Sequence, residues 1–404
     1  MNNTIPTSIS TLSASDCHTL NPTRTEQRSA VLIFANFGFY HLARMRALAE
    51  VFPIVAIELA AEQKLYGWRA DKAGYDIVTL HEGALEDTGS LVVRLRIILS
   101  LWRTLNAIRP RALLIPGYSD ICCLAAAVWA RMRGARTVMM FESTEIDLPR
   151  FRAKELVKKA VVKLFFDFGF VGGKRTSEYL EKLGMDPTRI VRTYDVVDNA
   201  FFARGADEVR DTSRPADWGL PSQYFLYVGR LAPEKNLERL LRAFHQYVEG
   251  GGNWSLVLVG TGPQEQYLKC IAEGLGIDDS VHFAGFKNGR DLFPYYAFAG
   301  CFVLPSIREP WGLVVNEAMA SGLPVLVSSV CGCLPELVSP GVNGFSFTPG
   351  DEKDLANSLS RLASSSKEAR VAMGLASRSI VAAFCPAQWA ESAVEVLVRR
   401  SSRG

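Results

Sequence analysis

Apolar residues along the 404-residue chain fall into short unbroken runs, separated by stretches with helical spacing. The first run is Ala30 to Ala35 (AVLIFA), which ends at Asn36-Phe37-Gly38. An unbroken run of that length fits a strand covered on both faces, as in a parallel sheet. His41 to Glu50 follows with apolar positions three and four apart. The same pattern predicts strands at 52–59, 76–80, 112–115, 137–141 and 168–171, with helical stretches between most of them. Such alternation predicts a parallel sheet with helices on both faces. Residues 206–223 carry Asp, Arg, Ser, Gly and two prolines with little period, and read as a linker. A second alternating series follows, with strands at 224–228, 255–259, 281–283, 301–304 and 324–328. Its helices are predicted at 237–248 and 264–274. The last stretch, 367–400, reads as helical with a break at Pro386. The fold expected is α/β, with two Rossmann-like domains in series.

Composition narrows this little: 48% hydrophobic, 22% charged and a net charge of +3 describe an ordinary globular chain with no nucleic-acid partner. Charge distribution says more. Between Ser90 and Arg192 stand 19 Lys/Arg against 9 Asp/Glu, a local basic excess. Within it, 90–109 and 151–168 mix Arg and Lys with Leu, Ile, Val and Phe. Basic amphipathic helices of this kind fit either packing on the sheet or weak peripheral contact with an anionic membrane surface. No run reaches the ~20 apolar residues that span a bilayer. Residues 1–28 are polar, lack the marks of a signal peptide, and read as a disordered tail, which places the protein in the cytoplasm. The five His and eight Cys show no metal-ligand spacing.

Three segments carry candidate chemistry. In YVGRLAPEKNL, a strand ends at Gly229, Arg230 follows, and Lys235 precedes a helix. Two cations at the carboxyl end of a parallel strand suit a diphosphate; a solvated loop is the plain alternative. In LVLVGTGPQ, Gly260 opens a turn, but Glu265 stands where a dinucleotide fingerprint needs its third glycine. In LPSIREPWGLVVNEAMASGLP, Glu309 lies in a loop. Glu317 lies one to two turns inside the helix that starts near Leu313. The first amides of that helix, around Trp311, Gly312, Leu313 and Val314, suit a phosphate. The two carboxylates suit vicinal hydroxyls.

Taken in order with Gly332-Cys-Leu-Pro-Glu336, these segments resemble the donor domain of retaining glycosyltransferases of family 4, with the GT-B fold. The resemblance is strong over about 225–350 and weak over 30–200. It implies an amino-terminal acceptor-binding domain at 29–205, to which a crossing helix at 386–404 returns, and a nucleotide-sugar donor domain at 224–385. The two would face each other across a cleft. It implies that Arg230 and Lys235 hold the donor diphosphate, Glu309 the donor sugar and Glu317 the ribose, with Gly229 and Gly260 close to the nucleotide. No metal or cofactor is implied; UDP or GDP is the favoured nucleotide. Family habit implies retention of configuration, a glycan, lipid-linked or small-molecule acceptor, and a role in cell-envelope or exopolysaccharide assembly. In the first domain Gly38, His41, Asp120 and Glu142 are candidates for the acceptor or diphosphate, with capping or a surface charge as the alternative reading. Two other functions fit the scaffold. An NAD(P)-dependent oxidoreductase would need the complete glycine fingerprint. A catalytically silent partner subunit would be expected to have lost Arg230, Lys235, Glu309 or Glu317.

Overall fold

The computed structural model describes residues 29–62, 72, 76–84, 90–147 and 150–399. The tail expected at 1–28 and the end of the crossing helix beyond 399 lie outside these. The first domain runs β1 (Ala30–Phe34), α1 (Phe39–Val51), β2 (Ile54–Glu58), β3 (Ile77–Thr79), α2 (Leu91–Ile108), β4 (Ala112–Ile115), α3 (Ile121–Arg133), β5 (Arg136–Phe141), α4 (Arg152–Phe165), β6 (Phe168–Val171), α5 (Lys174–Lys182) and β7 (Ile190–Val191). All seven strands are parallel, in the order β3-β2-β1-β4-β5-β6-β7. The unbroken apolar runs are explained by burial on both faces: every residue of β1 is inaccessible or nearly so. On one face Ile97, Leu101, Trp129, Val162 and Leu180 of α2 to α5 pack together.

Chain then crosses to the second domain. It comprises α6 (Asn199–Thr212), β8 (Tyr224–Val228), α7 (Leu237–Glu249), β9 (Ser255–Val259), α8 (Glu265–Gly274), β10 (Val281–Gly285), α9 (Phe293–Phe298), β11 (Cys301–Leu304), α10 (Leu313–Ala320), β12 (Val325–Ser328), β13 (Gly344–Phe347), α11 (Glu352–Ala363) and α12 (Lys367–Val381). Its six strands are again parallel, in the order β10-β9-β8-β11-β12-β13. Residues 206–223, read from sequence as a linker, instead hold the second half of α6 and a 3-10 turn at Pro215–Trp218. The polar composition hid a helix that buries Phe202, Gly205 and Ala206. Helix α6 packs against α9 and α10.

A last helix, α13 (Pro386–Val398), returns to the first domain and lies on α1. Its buried residues Trp389, Ala390, Ala393, Val396 and Leu397 form one helical stripe, which joins Leu42, Met45 and Leu48 of α1. Each large apolar side chain buried there contributes about 1.5–3 kcal/mol. Pro386 at the helix start marks the break from α12, since it lacks the N–H that a continuous helix would use. The chain thus crosses between domains twice. Both crossings meet at Asn199, whose Nδ2 donates to the carbonyls of Val381 (2.8 Å) and Phe384 (3.2 Å). Among the described residues no helix is long and apolar enough to cross a membrane.

Candidate active site

Each sheet reverses its strand order once, between β1 and β4 and between β8 and β11. At such a point the loops leaving the two strands part and open a crevice at their carboxyl ends. In the second domain the loop after β8 carries Gly229 and Arg230, and the loop after β11 leads to Glu309. Gly229 sits at φ +152°. Gly260, at φ +136°, stands so close behind it that a Cβ would lie 1.9 Å from the Gly229 carbonyl oxygen. The two loops can be stacked this tightly only with glycine there.

Lys235 closes a 3-10 turn at Pro233–Lys235, and its Nζ donates to Glu309 Oε2. The same oxygen accepts from Ser306 Oγ at 3.0 Å. Both partners are mostly buried, so the pair is shielded from solvent screening. Arg230 is more open and pairs with Glu234. Backbone contacts fix the Glu309 loop: the Gly332 amide donates to the Glu309 carbonyl at 2.9 Å, and that of Cys333 to the Trp311 carbonyl at 3.3 Å. A Cβ on Gly332 would lie 1.6 Å from the Pro310 carbonyl oxygen, so this approach too demands glycine. Gly312 (φ +103°) precedes α10, and the amides of Leu313 and Val314 lie in its first turn, where no intrahelical acceptor exists. Trp311 itself is a core residue, with its Nε1 donating to Asn316 Oδ1 at 2.9 Å.

Glu317 is almost wholly buried, and both its oxygens are taken. Tyr296 Oη donates to one at 2.7 Å, and Tyr40, from the first turn of α1 in the other domain, donates to the other. Burial raises its carboxyl to about 7, although the two tyrosine hydrogen bonds act the other way. The carboxylate expected from sequence to hold the ribose is therefore a junction between domains. Tyr40 and Tyr296 were not singled out from sequence, because aromatic residues at helical spacing read as core.

In the first domain Gly38 caps α1 with open space where a Cβ would be. His41 stacks on Phe34, with centroids 3.9 Å apart, and its Nδ1 lies 3.0 Å from the Asn36 carbonyl. Burial, then the Arg44 charge, lowers it to about 3, so it is a neutral brace for the loop. Asp120 accepts from the Cys122 amide at 2.7 Å and caps α3, its alternative reading. Glu142 follows β5 directly and is open to water. It senses Arg44, Asp195 and, across the cleft, Glu309. Surrounding protein holds its carboxyl above the usual range despite that opening. Neither Arg44 nor Asp195 was singled out from sequence. An Asp flanked by Tyr194 and Val196 in a short apolar stretch was the available signal.

The domains also touch through the first turn of α5. The Lys174 amide donates to Glu336 Oε1 at 2.5 Å. The Arg175 guanidinium donates to the carbonyls of Cys331 (2.9 Å) and Ser329 (2.7 Å). The start of α5, after β6, is thereby held against the loop that follows β12.

Residues 211–379 match the family described as glycosyl transferases group 1. The carboxy-terminal domain is a group 1 glycosyltransferase domain. An uncharacterized glycosyltransferase of Methanocaldococcus jannaschii is 41% identical over 139 residues, which are 34% of this chain and 35% of that protein. Sulfoquinovosyl transferase of Arabidopsis thaliana is 35% identical over 156 residues, 38% of this chain and 29% of that one. The chain thus spans about a third of the length of these curated relatives. The solved structure of Anabaena HepE with UDP and glucose superposes with a TM-score of 0.71 at 18% identity, covering 92% of this chain and 99% of that one. That likeness covers both domains and shows the fold, GT-B, with the group 1 domain as its second half.

Proposed function

We propose that the protein transfers a sugar from a nucleoside-diphosphate donor to an acceptor hydroxyl, with retention of configuration and without a metal or cofactor. The observation that carries this reading is placement. Arg230, Lys235, Glu309 and the first amides of α10 all sit around one switch point, facing the second switch point across the cleft. Lys235 and Glu309 neutralise each other. A donor would insert its diphosphate beside Lys235 and Arg230 and offer sugar hydroxyls to Glu309. The cations and helix amides then stabilise the charge on the departing diphosphate. The donor motif supplies no further carboxylate for the anomeric carbon once Glu309 and Glu317 serve hydroxyls, so same-face attack is favoured, with a diphosphate oxygen taking the acceptor proton. Glu317 would receive the ribose after Tyr40 moves aside.

An oxidoreductase is disfavoured by the glycines themselves. Gly260 and Gly262 are used to approach the backbone at Gly229 and Leu231, not to open room for a pyrophosphate. UDP or GDP remains the expected nucleotide, and the UDP complex of HepE supports the former. A glycan, lipid-linked or small-molecule acceptor and a role in cell-envelope or exopolysaccharide assembly rest on the resemblance to retaining glycosyltransferases of family 4. A peripheral place on the cytoplasmic membrane face is supported by Leu91, Val92, Leu95 and Leu99 of α2 and Leu156, Val157 and Leu164 of α4. All are exposed beside Arg96, Arg103, Lys154 and Lys159.

Thermal shift tests the donor: UDP or GDP should raise the melting temperature, and NAD at matched concentration should not. NMR of the product from the best donor in a nucleotide-sugar panel should show the donor's anomeric configuration. An inverted product would sink the retaining mechanism.

A further inference from the structure

Behind the cleft lies a charged group that the donor machinery does not use. Asp195, on the segment that crosses between domains, has only 2% of its side chain exposed. Neither of its carboxyl oxygens takes a hydrogen bond of ordinary geometry from the described residues. Its nearest cation, Arg44 Nη2, is 3.7 Å from Oδ1, beyond hydrogen-bonding range. Arg44 is itself buried, over the Tyr194 ring at 4.5 Å and 3.4 Å from the Val196 carbonyl. A Cβ on Gly172 would lie 2.2 Å from Asp195 Oδ2, so the loop after β6 is cut back to make room for this carboxyl. The backbone carbonyl of Asp195 accepts from Asn316 Nδ2 at 3.3 Å, which ties the group to α10 of the donor domain. Its acidic neighbour is Glu142, the residue that reaches water in the cleft.

Two adjacent carboxylates repel, and an unbonded buried one is costly. One proton between them removes both problems. Burial first, and the Glu142 charge next, push Asp195 well above the ordinary carboxylate range, which favours keeping that proton on the pair. Two carboxyls with one proton carry a single negative charge, and Arg44 balances it. With the proton held between the two carboxyls, the Glu142 oxygen that faces the cleft is left as an acceptor, and Arg44 leaves the group with no net charge. A hydroxyl is matched to that, since it donates without bringing a charge. A phosphate only accepts and would meet Glu142 and Glu309; an ammonium would find the negative charge already balanced by Arg44.

We infer that Glu142 and Asp195 form a proton-sharing pair that seats the attacking hydroxyl of a neutral polyol, with Glu142 touching the acceptor and Asp195 positioning Glu142. This rests on the transfer reaction proposed above. In that step the acceptor oxygen bonds to the anomeric carbon as the bond from that carbon to the diphosphate oxygen breaks. The diphosphate leaves with the electron pair and takes the hydroxyl proton. The carboxyl pair orients the hydroxyl and is unchanged overall.

The test uses the purified full chain. UDP and GDP binding is measured by calorimetry. Nucleotide release from UDP-glucose, UDP-galactose and GDP-mannose is followed with D-glucose, D-galactose and myo-inositol as neutral probes, beside their phosphate esters. At least one neutral probe should accelerate release and outcompete its ester. Glu142→Gln should raise the KM for that probe about tenfold or more while nucleotide affinity stays within about twofold. Asp195→Asn should shift the pH profile of transfer, read with Arg44, Tyr194, Asp147 and Glu309 left intact around the pair. Should Asp195→Asn fail to fold, the cleft-facing Glu142→Gln still decides. An unchanged KM in Glu142→Gln, a preferred phosphate ester, or nucleotide binding with no response to any neutral probe would each overturn the inference. Failure of both UDP and GDP to bind would instead overturn the transferase reading.

Discussion

In the second domain, α7 buries Leu237, Leu240, Leu241, Phe244 and Tyr247, and the sheet it covers ends in loops that hold Lys235 and Glu309 in place. In the first domain, α2 buries Ile97, Leu101, Leu105 and Ile108, yet leaves Leu91, Val92, Leu95 and Leu99 in water. Helix α4 does the same with Leu156, Val157 and Leu164. Both domains solve the same packing problem, a parallel sheet between helices, and both place their chemistry at a switch point. The second spends its charged residues on a few fixed contacts. The first keeps an apolar and basic flank beyond what folding needs. A nucleotide presents the same diphosphate and ribose whatever sugar it carries, so a donor domain can rely on few fixed groups. On the function proposed above, the first domain would meet its acceptor by surface and by shape.

Removing Lys235 attacks the donor side of this contrast most strongly. Lys235→Ala should lower donor turnover about tenfold to a hundredfold at subsaturating donor, since a charge-assisted contact is lost. Circular dichroism should be unchanged. Wild-type turnover would remove the diphosphate role.

The flank of the first domain comes next. Leu95→Glu together with Leu156→Glu should weaken binding to anionic vesicles about tenfold in a flotation assay. Both residues are more than half exposed, 57% and 67%, so the melting temperature should hold. Vesicle binding that survives both changes would confine these leucines to an ordinary solvated surface.

A third expectation concerns the junction of the domains. Glu317 has a folded-state value of about 7, above the ordinary 4.5. The stability it contributes is therefore full below the unfolded value and is lost as pH rises through about 7. Glutamine does not titrate there. The stability of wild type minus that of Glu317→Gln should fall between about pH 5 and about pH 8, by up to ~1.4 kcal/mol per pH unit. Denaturant melts at both ends check this, and a constant difference would contradict it.

The smallest effect is expected from Tyr40→Phe. It frees one Glu317 oxygen without changing the core shape. If ribose takes that oxygen, nucleotide affinity should rise about threefold to fivefold by calorimetry. A fall in affinity would mean that Tyr40 helps hold the nucleotide.

Much of this layout was legible in the sequence. Strands such as 224–228 and 301–304 stand out because double-sided burial leaves no polar position in them. The loops after β8 and β11 stood out because glycine, cation and carboxylate fall at fixed distances from strand ends. What failed to show was anything that depends on a partner far along the chain. Helix α6 looked like a linker because Asp207 and Arg210 read as solvent-facing. In the fold Arg210 donates to the carbonyls of Ala297 (2.7 Å) and Ser321 (2.6 Å), and Asp207 pairs with Arg378. The seat of Glu317 was hidden for the same reason, since Tyr40 lies 277 positions away. The short strand β13 was masked by the glycine at its start, Gly344, whose φ of +159° lets it pass close to the Val325 carbonyl.

Asn199 has a mechanical meaning. Two separate connections between two bodies would define an axis, like the pins of a door. Here one amide group binds the second connection at two carbonyls beside the first, so the connections behave as a single joint. A single joint leaves three rotations open. Any closing of the cleft would then be directed by the surfaces that meet, Glu336 against the Lys174 amide and Arg175 against the Ser329 and Cys331 carbonyls. The rim, and not the joint, would then do the steering.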